Sequence, residues 1–171
     1  MNLEPASSWA YAFPMVRAGG VFILIMGVGV VLGAIVPRRR RLLLVLGALV
    51  ATIAIILLAA RLSAPFGAPT RLQIWFLFGS IAAEAVLVRV AVGLYRLAGE
   101  RSLLLAILFA VGLHFLPMAV AFGPACAALG VTLCASAGFG LWLRPAIGLN
   151  KLWALDGIIK MAFGSTMLMA R

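Results

Sequence analysis

Long apolar runs alternate along the chain with short polar breaks. Six runs stand out, over residues 18–36, 42–60, 72–95, 102–122, 124–143 and 152–169. Each approaches the roughly 20 residues that an α-helix needs to cross the hydrocarbon core of a bilayer. None reads as the ten-residue alternation of a membrane barrel strand. The breaks hold arginine, proline and glycine: Arg38-Arg39-Arg40-Arg41, the stretch Ser63-Ala-Pro-Phe-Gly-Ala-Pro69, Gly123-Pro124 and Arg144-Pro145. The pattern predicts an all-α integral membrane bundle of about six transmembrane helices, forming a single domain over residues 1–171. Trp9, Tyr11 and Pro14 precede the first run and are expected at the interface. Trp75, Tyr95, Trp142 and Trp153 fall near helix ends, at the headgroup level that amphipathic rings prefer.

Composition agrees with a lipid solvent. Hydrophobic residues make up 65% of the chain and charged residues 11%, and mean hydropathy is +1.21. A soluble domain carries about 25% charged residues. The net charge of +10 does not indicate nucleic acid, because the basic residues cluster at the ends of apolar runs. Arg38, Arg39, Arg40 and Arg41 are expected to face anionic lipid headgroups as topology signals. Loops 1–2, 3–4 and 5–6 share one side and carry Arg38 to Arg41, Arg96, Arg101, Arg144 and Lys151, against Arg17, Arg61, Arg71 and Arg171 on the other. The positive-inside rule then places both termini outside. The Ala/Leu/Arg-rich, Lys-poor composition suggests a GC-rich bacterial genome, and the expected location is the bacterial cytoplasmic membrane. The first run ends in Val36-Pro37 and four arginines rather than a cleavage site, so it reads as a retained helix.

Small residues suggest where helices meet. Cys126, Gly130, Cys134 and Gly138 recur every four residues in the fifth run, and Gly29 and Gly33 do so in the first. Such stripes allow close backbone approach, either within the chain or in a homo-oligomer. The two cysteines lie about 12 Å apart along one helix, beyond disulfide reach. With no neighbouring His or further Cys they are not expected to hold a metal. Two three-helix halves would insert with opposite orientation, and inverted repeats of this kind are common in transporters. Phe78-Gly79-Ser80 recurs as Phe163-Gly164-Ser165, which is thin support for such a duplication.

The chemistry is confined to five ionisable residues inside the runs: Glu84, Arg89, His114, Asp156 and Lys160. Such groups cost a few kcal/mol each in a bilayer, and persist when paired, when lining a wet cavity, or when they work. At about 1.5 Å rise per residue, Glu84 shares a level with Lys160, and Arg89 with Asp156. If the third and sixth helices were antiparallel neighbours, two stacked ion pairs would form. Alternatively Asp156 and Lys160, four apart, pair within their own helix. Glu84 is then left to His114 or a proton, and Arg89 snorkels. His114 sits three residues before Pro117, where a kink beside a buried His could gate or relay protons.

Leu155-Asp156-Gly-Ile-Ile-Lys160-Met-Ala-Phe163-Gly164 resembles the last helix of microbial rhodopsins. The resemblance implies a retinal Schiff base at Lys160 with Asp156 in its counterion complex. It covers about ten residues, and the chain departs from that family in having six runs rather than seven. Gln73-x-x-Phe76 to Glu84 and His114-Phe-Leu-Pro117 are similar to small bacterial multi-pass proteins of unknown function. No Ser-His-Asp set, HExxH, paired catalytic carboxylates or phosphate loop is legible, so neither an enzyme nor a cofactor is expected. A small proton- or ion-coupled transporter or channel is expected, with a structural or regulatory membrane subunit as the alternative and a retinal protein as a remote one.

Overall fold

The computed structural model describes residues 12–142 and 148–170. It holds six long helices: α1 Val16–Ile35, α2 Arg40–Ser63, α3 Arg71–Tyr95, α4 Glu100–Phe122, α5 Pro124–Trp142 and α6 Leu149–Leu168. One-turn 3₁₀ helices at Pro37–Arg39 and Ala64–Phe66 flank α2, and there is no strand among the described residues. Trp9, Tyr11, Arg144, Pro145, Arg171 and the expected end of the fifth helix at residue 143 lie outside the described residues.

Helices α1 to α5 are each long and apolar enough to cross a membrane. Helix α6 has 20 residues but carries Lys151, Asp156 and Lys160, so it is less apolar than the others. It starts at Leu149 rather than 152 because Asn150 is held in place, accepting a 2.5 Å hydrogen bond from Arg40 Nη2.

Turn chemistry sets the helix ends. Helix α3 opens on a capping box: Gln73 N–H donates to Thr70 Oγ1 at 3.3 Å, and Thr70 N–H donates to Gln73 Oε1 at 2.9 Å. Gln73 Nε2 also donates to Ala12 O at 2.8 Å, tying α3 to the chain just ahead of α1. Helices α4 and α5 are joined by Gly123 alone, at φ +87°, with Pro124 opening α5. A left-handed φ followed by a residue that fits the first helical turn makes a sharp reversal.

Glycine decides which helices meet. Helices α1 and α6 run antiparallel in the closest contact of the bundle. A β-carbon at Gly20 would stand 2.7 Å from Gly164 O, and one at Gly27 would stand 2.8 Å from Gly157 O. The same device recurs where α1 meets α2, at Gly29 and Gly47, and where α4 meets α5, at Gly112 and Gly130. Each of these two pairs is 18 residues apart, and the pairs themselves are offset by 83 residues. Helix α3 packs on α4, α6 also packs on α5, and α1 touches α4. Exchanging α1–α3 for α4–α6 therefore maps most of the packing onto itself. The exception is that α5 packs on α6, whereas α2 and α3 do not pack along one another. The Phe-Gly-Ser recurrence does not mark equivalent positions: Gly164 is wedged against α1, and Gly79 has nothing within 4 Å.

Two apolar clusters form the interior. One gathers Val16, Ile23, Phe115, Phe122, Leu129 and Met167; the other gathers Val30, Leu105, Leu108, Leu152 and Trp153. The expected stripe on α5 packs inside the chain against α4. Cys126 Sγ donates to Phe115 O at 3.5 Å, and Cys134 Sγ donates to Phe109 O at 3.6 Å. Gly138 is not part of this contact, having nothing within 4 Å, because the packed face has shifted to Gly140 against Leu105 and Leu152. Gly33 faces Arg40 and Trp153.

Three arginines expected as topology signals also have structural partners. Each stands near the start of one helix and donates to a carbonyl near the end of its antiparallel neighbour. Arg40 Nε reaches Gly33 O of α1 at 3.4 Å, and Arg101 Nη2 reaches Gly140 O of α5 at 2.9 Å. Arg17 Nε reaches Ala170 O just past α6 at 2.9 Å. Carbonyls in a last turn lack intrahelical partners, and the negative end of the helix dipole favours a cation there. Arg40 is therefore buried, while Arg38, Arg39 and Arg41 are exposed.

Candidate functional site

Between the two apolar clusters lies a cavity of about 430 Å³. Residues of α1, α2, α3, α4 and α6 line it, at the place where α2 and α3 part. Most of the lining is hydrocarbon or aromatic, including Phe22, Met26, Val45, Leu108, Phe115 and Trp153. Its ionisable lining groups are Glu84, His114 and Lys160.

Glu84 lies mid-way along α3, on a helix that is otherwise largely exposed. Its carboxylate Oε2 stands 3.6 Å from His114 Nε2 of α4, and its side chain is 32% exposed. His114 Nδ1 donates to Val111 O at 2.6 Å, one turn back in α4. That bond fixes a proton on Nδ1 and turns Nε2 towards Glu84. In the neutral ring Nε2 is then an acceptor, so it can bond Glu84 only through an added proton. The His–Glu pair is a place where one proton can sit between two helices.

Lys160 and Asp156 form an ion pair within α6, four residues apart. Both are nearly buried, at 5% and 2% exposure. The lysine reaches the cavity wall, while Asp156 is not among the lining residues. The pair leaves little net charge there, so the charge without an ionised partner in direct contact is Glu84.

The expected interhelical pairs Glu84–Lys160 and Arg89–Asp156 do not form among the described residues. Helix α6 packs glycine against α1, and this holds it away from α3, which leans on α4. Glu84 and Lys160 line the same cavity. Arg89 lies on the exposed face of α3, away from the cavity, six residues before the helix ends at Tyr95. That is where a snorkelling side chain belongs.

Trp153 was expected at the headgroup level. It is instead 3% exposed, lines the cavity, and lies under Arg40, whose guanidinium carbon is 5.0 Å from its ring centroid. Trp75 and Trp142 are largely exposed. Nothing in the sequence separates Trp153 from these two, except that Gly157 and Gly164 follow it on a helix that must pack closely. No group of three or more His, Cys, Asp or Glu side chains able to hold a metal occurs among the described residues.

The apolar helices and the charged cavity within them define a multi-pass α-helical membrane protein. The chain belongs to DUF6609, a family of unknown function, whose profile matches residues 6–171. No curated protein and no solved structure matches it.

Proposed function

We propose that this protein is a small proton- or ion-coupled transporter of the bacterial cytoplasmic membrane, with Glu84 as its coupling group. The observation that carries the reading is the meeting of Glu84, His114 and Lys160, from three helices, on one cavity inside the bundle. A carboxylate that merely joined helices would be buried in direct contact with its partner. Glu84 is instead one-third exposed and 3.6 Å from His114. The Asp156–Lys160 pair lies within a single helix, so it does not join helices either. This speaks against a subunit whose charges serve only as glue.

The exchange relation of the two halves supports the same reading. A cavity between α2 and α3 has its counterpart between α5 and α6, which are in contact here. Swapping those contacts would present the site to the opposite side of the membrane, as inverted repeats allow.

The test is proton movement in proteoliposomes loaded with a pH-sensitive dye. Wild-type protein is expected to dissipate an imposed pH gradient, Arg89→Gln to behave like wild type, and Glu84→Gln to lose the activity. Equal dissipation by Glu84→Gln, or none by wild type over a broad set of ion gradients, would remove Glu84 from this role.

A further inference from the structure

The cavity also indicates what it would hold. Its walls are largely apolar: Phe22, Ile23, Met26 and Val30 come from α1, and Leu44, Val45 and Ala48 come from α2, whereas α3 contributes Glu84 alone. Helices α1 and α2 bring no charge to it. Helix α4 brings His114, and α6 brings Lys160, already paired with Asp156. Glu84 of α3 is the carboxylate left without an ionised partner in direct contact. The rings of Phe22, Phe115 and Trp153 line the same cavity, the last of them already under Arg40. Helices α2 and α3, which both contribute to the lining, do not pack along one another.

A water-soluble ion would have to be stripped of its hydration shell in such a site, and too few polar groups are present to replace it. A cation whose charge is spread over an apolar body has little hydration to lose. It partitions into the bilayer first, fills the greasy walls, and places its charge against a carboxylate and aromatic faces.

We propose that this cavity binds a lipophilic organic cation from within the membrane, with Glu84 as its counter-charge. The proposal takes Glu84's role from the transport reading above and adds the class of substrate. A proton and the cation then compete for the same carboxylate. A proton arriving at Glu84, shared with His114 Nε2, removes the negative charge and releases the cation. A cation arriving displaces the proton.

The test is equilibrium binding to the full chain in lipid nanodiscs, using tetraphenylphosphonium as the probe and tetraphenylborate as its anion of the same shape. Saturable binding of the phosphonium, not of the borate, is expected, together with a loss of at least about tenfold in affinity in Glu84→Gln. Acidification is expected to weaken binding by wild type and not by Glu84→Gln. Should Glu84→Gln fail to fold, Ala48→Phe, which narrows the cavity from α2, is expected to lose binding, and proton competition in wild type is read alone. Equal binding of borate and phosphonium, no saturable binding, or binding indifferent to Glu84 and to pH overturns the proposal. Proton flux without phosphonium binding overturns the cation site and keeps the coupling role of Glu84. Binding without flux supports the cation site and overturns the transport reading.

Discussion

Asp156 and Lys160 show why a buried pair must be judged as a pair. Each would be costly alone at 2% and 5% exposure, and together they leave almost no net charge. Removing one partner strands the other, at a cost of about 3–5 kcal/mol. Asp156→Asn and Lys160→Gln are thus each expected to lower the detergent melting temperature sharply, and the double variant to recover much of the loss. The matching cycle on Glu84 and Lys160, which share a cavity but not an ion pair, is expected to show a weaker coupling than the Asp156–Lys160 cycle. A large coupling there would show that Lys160 serves Glu84 rather than Asp156. Arginines call for the same residue-by-residue judgement. Arg40→Gln loses the bonds to Asn150 and Gly33 O and the Trp153 face, and is expected to cost about 1–3 kcal/mol, whereas Arg39→Gln is expected to cost nothing measurable. Glu84, His114 and Lys160 were legible in the sequence because ionisable groups in apolar runs are rare. Arg40 was not, because a basic residue between two spans looks the same whether it meets a lipid phosphate or a neighbouring helix end. Trp153 was hidden for a related reason: an aromatic ring near a helix end gives no sign of whether that end is lipid-facing or covered.

At the scale of helices, backbone proximity rather than side-chain bulk sets the neighbours. Gly27 and Gly157 face each other across α1 and α6 so closely that a β-carbon on either meets main-chain atoms at under 3.0 Å. Main chain cannot rotate away, so Gly27→Val and Gly157→Val are expected to push the helices apart and cost about 1–3 kcal/mol or more, read as thermal unfolding in detergent. Gly79→Ala, with nothing within 4 Å, is expected to be neutral or stabilising by up to about 1 kcal/mol, since glycine is the poorer helix former. If Gly157→Val melted like wild type, α1 and α6 would not be in contact as described. Helix number and most boundaries followed from the apolar runs. Helix adjacency did not, because every face of these helices is apolar and periodicity points nowhere. The usable signal was weaker: Gly20 and Gly27, and Gly157 and Gly164, are seven apart on two helices, and only their pairing in space distinguishes them from Gly138, which packs against nothing.

Across the whole molecule, the antiparallel pairing of neighbours brings the α1–α2 and α3–α4 connections to one face and the α2–α3 connection to the other. Arginines with carbonyl partners have a reason to exist apart from topology, so orientation follows from those exposed at the surface. Arg38, Arg39, Arg41, Arg96 and Lys151 are exposed on the first face, against Arg61 and Arg71 on the second. Setting aside Arg17, Arg40 and Arg101 leaves the excess on the same side. The positive-inside rule then expects Gly67, between α2 and α3, to face outward, and Gly99, between α3 and α4, to face the cytoplasm. Both glycines have nothing within 4 Å, although their left-handed φ values of +89° and +94° make any substitution mildly strained. Cysteine at Gly67 is expected to react with a membrane-impermeant maleimide on intact cells, and cysteine at Gly99 only after permeabilisation. Native Cys126 and Cys134 lie inside α5 and are expected to stay silent, so the parent chain serves as the blank. The reverse labelling would turn the bundle over. Because the cavity draws on α2 from Leu44 to Ala48, close to its arginine-bearing start, it would also move the nearer approach to Glu84 from the cytoplasmic to the outer half of the membrane. Labelling therefore decides on which side a proton gradient must be applied before Glu84 can be expected to respond to it.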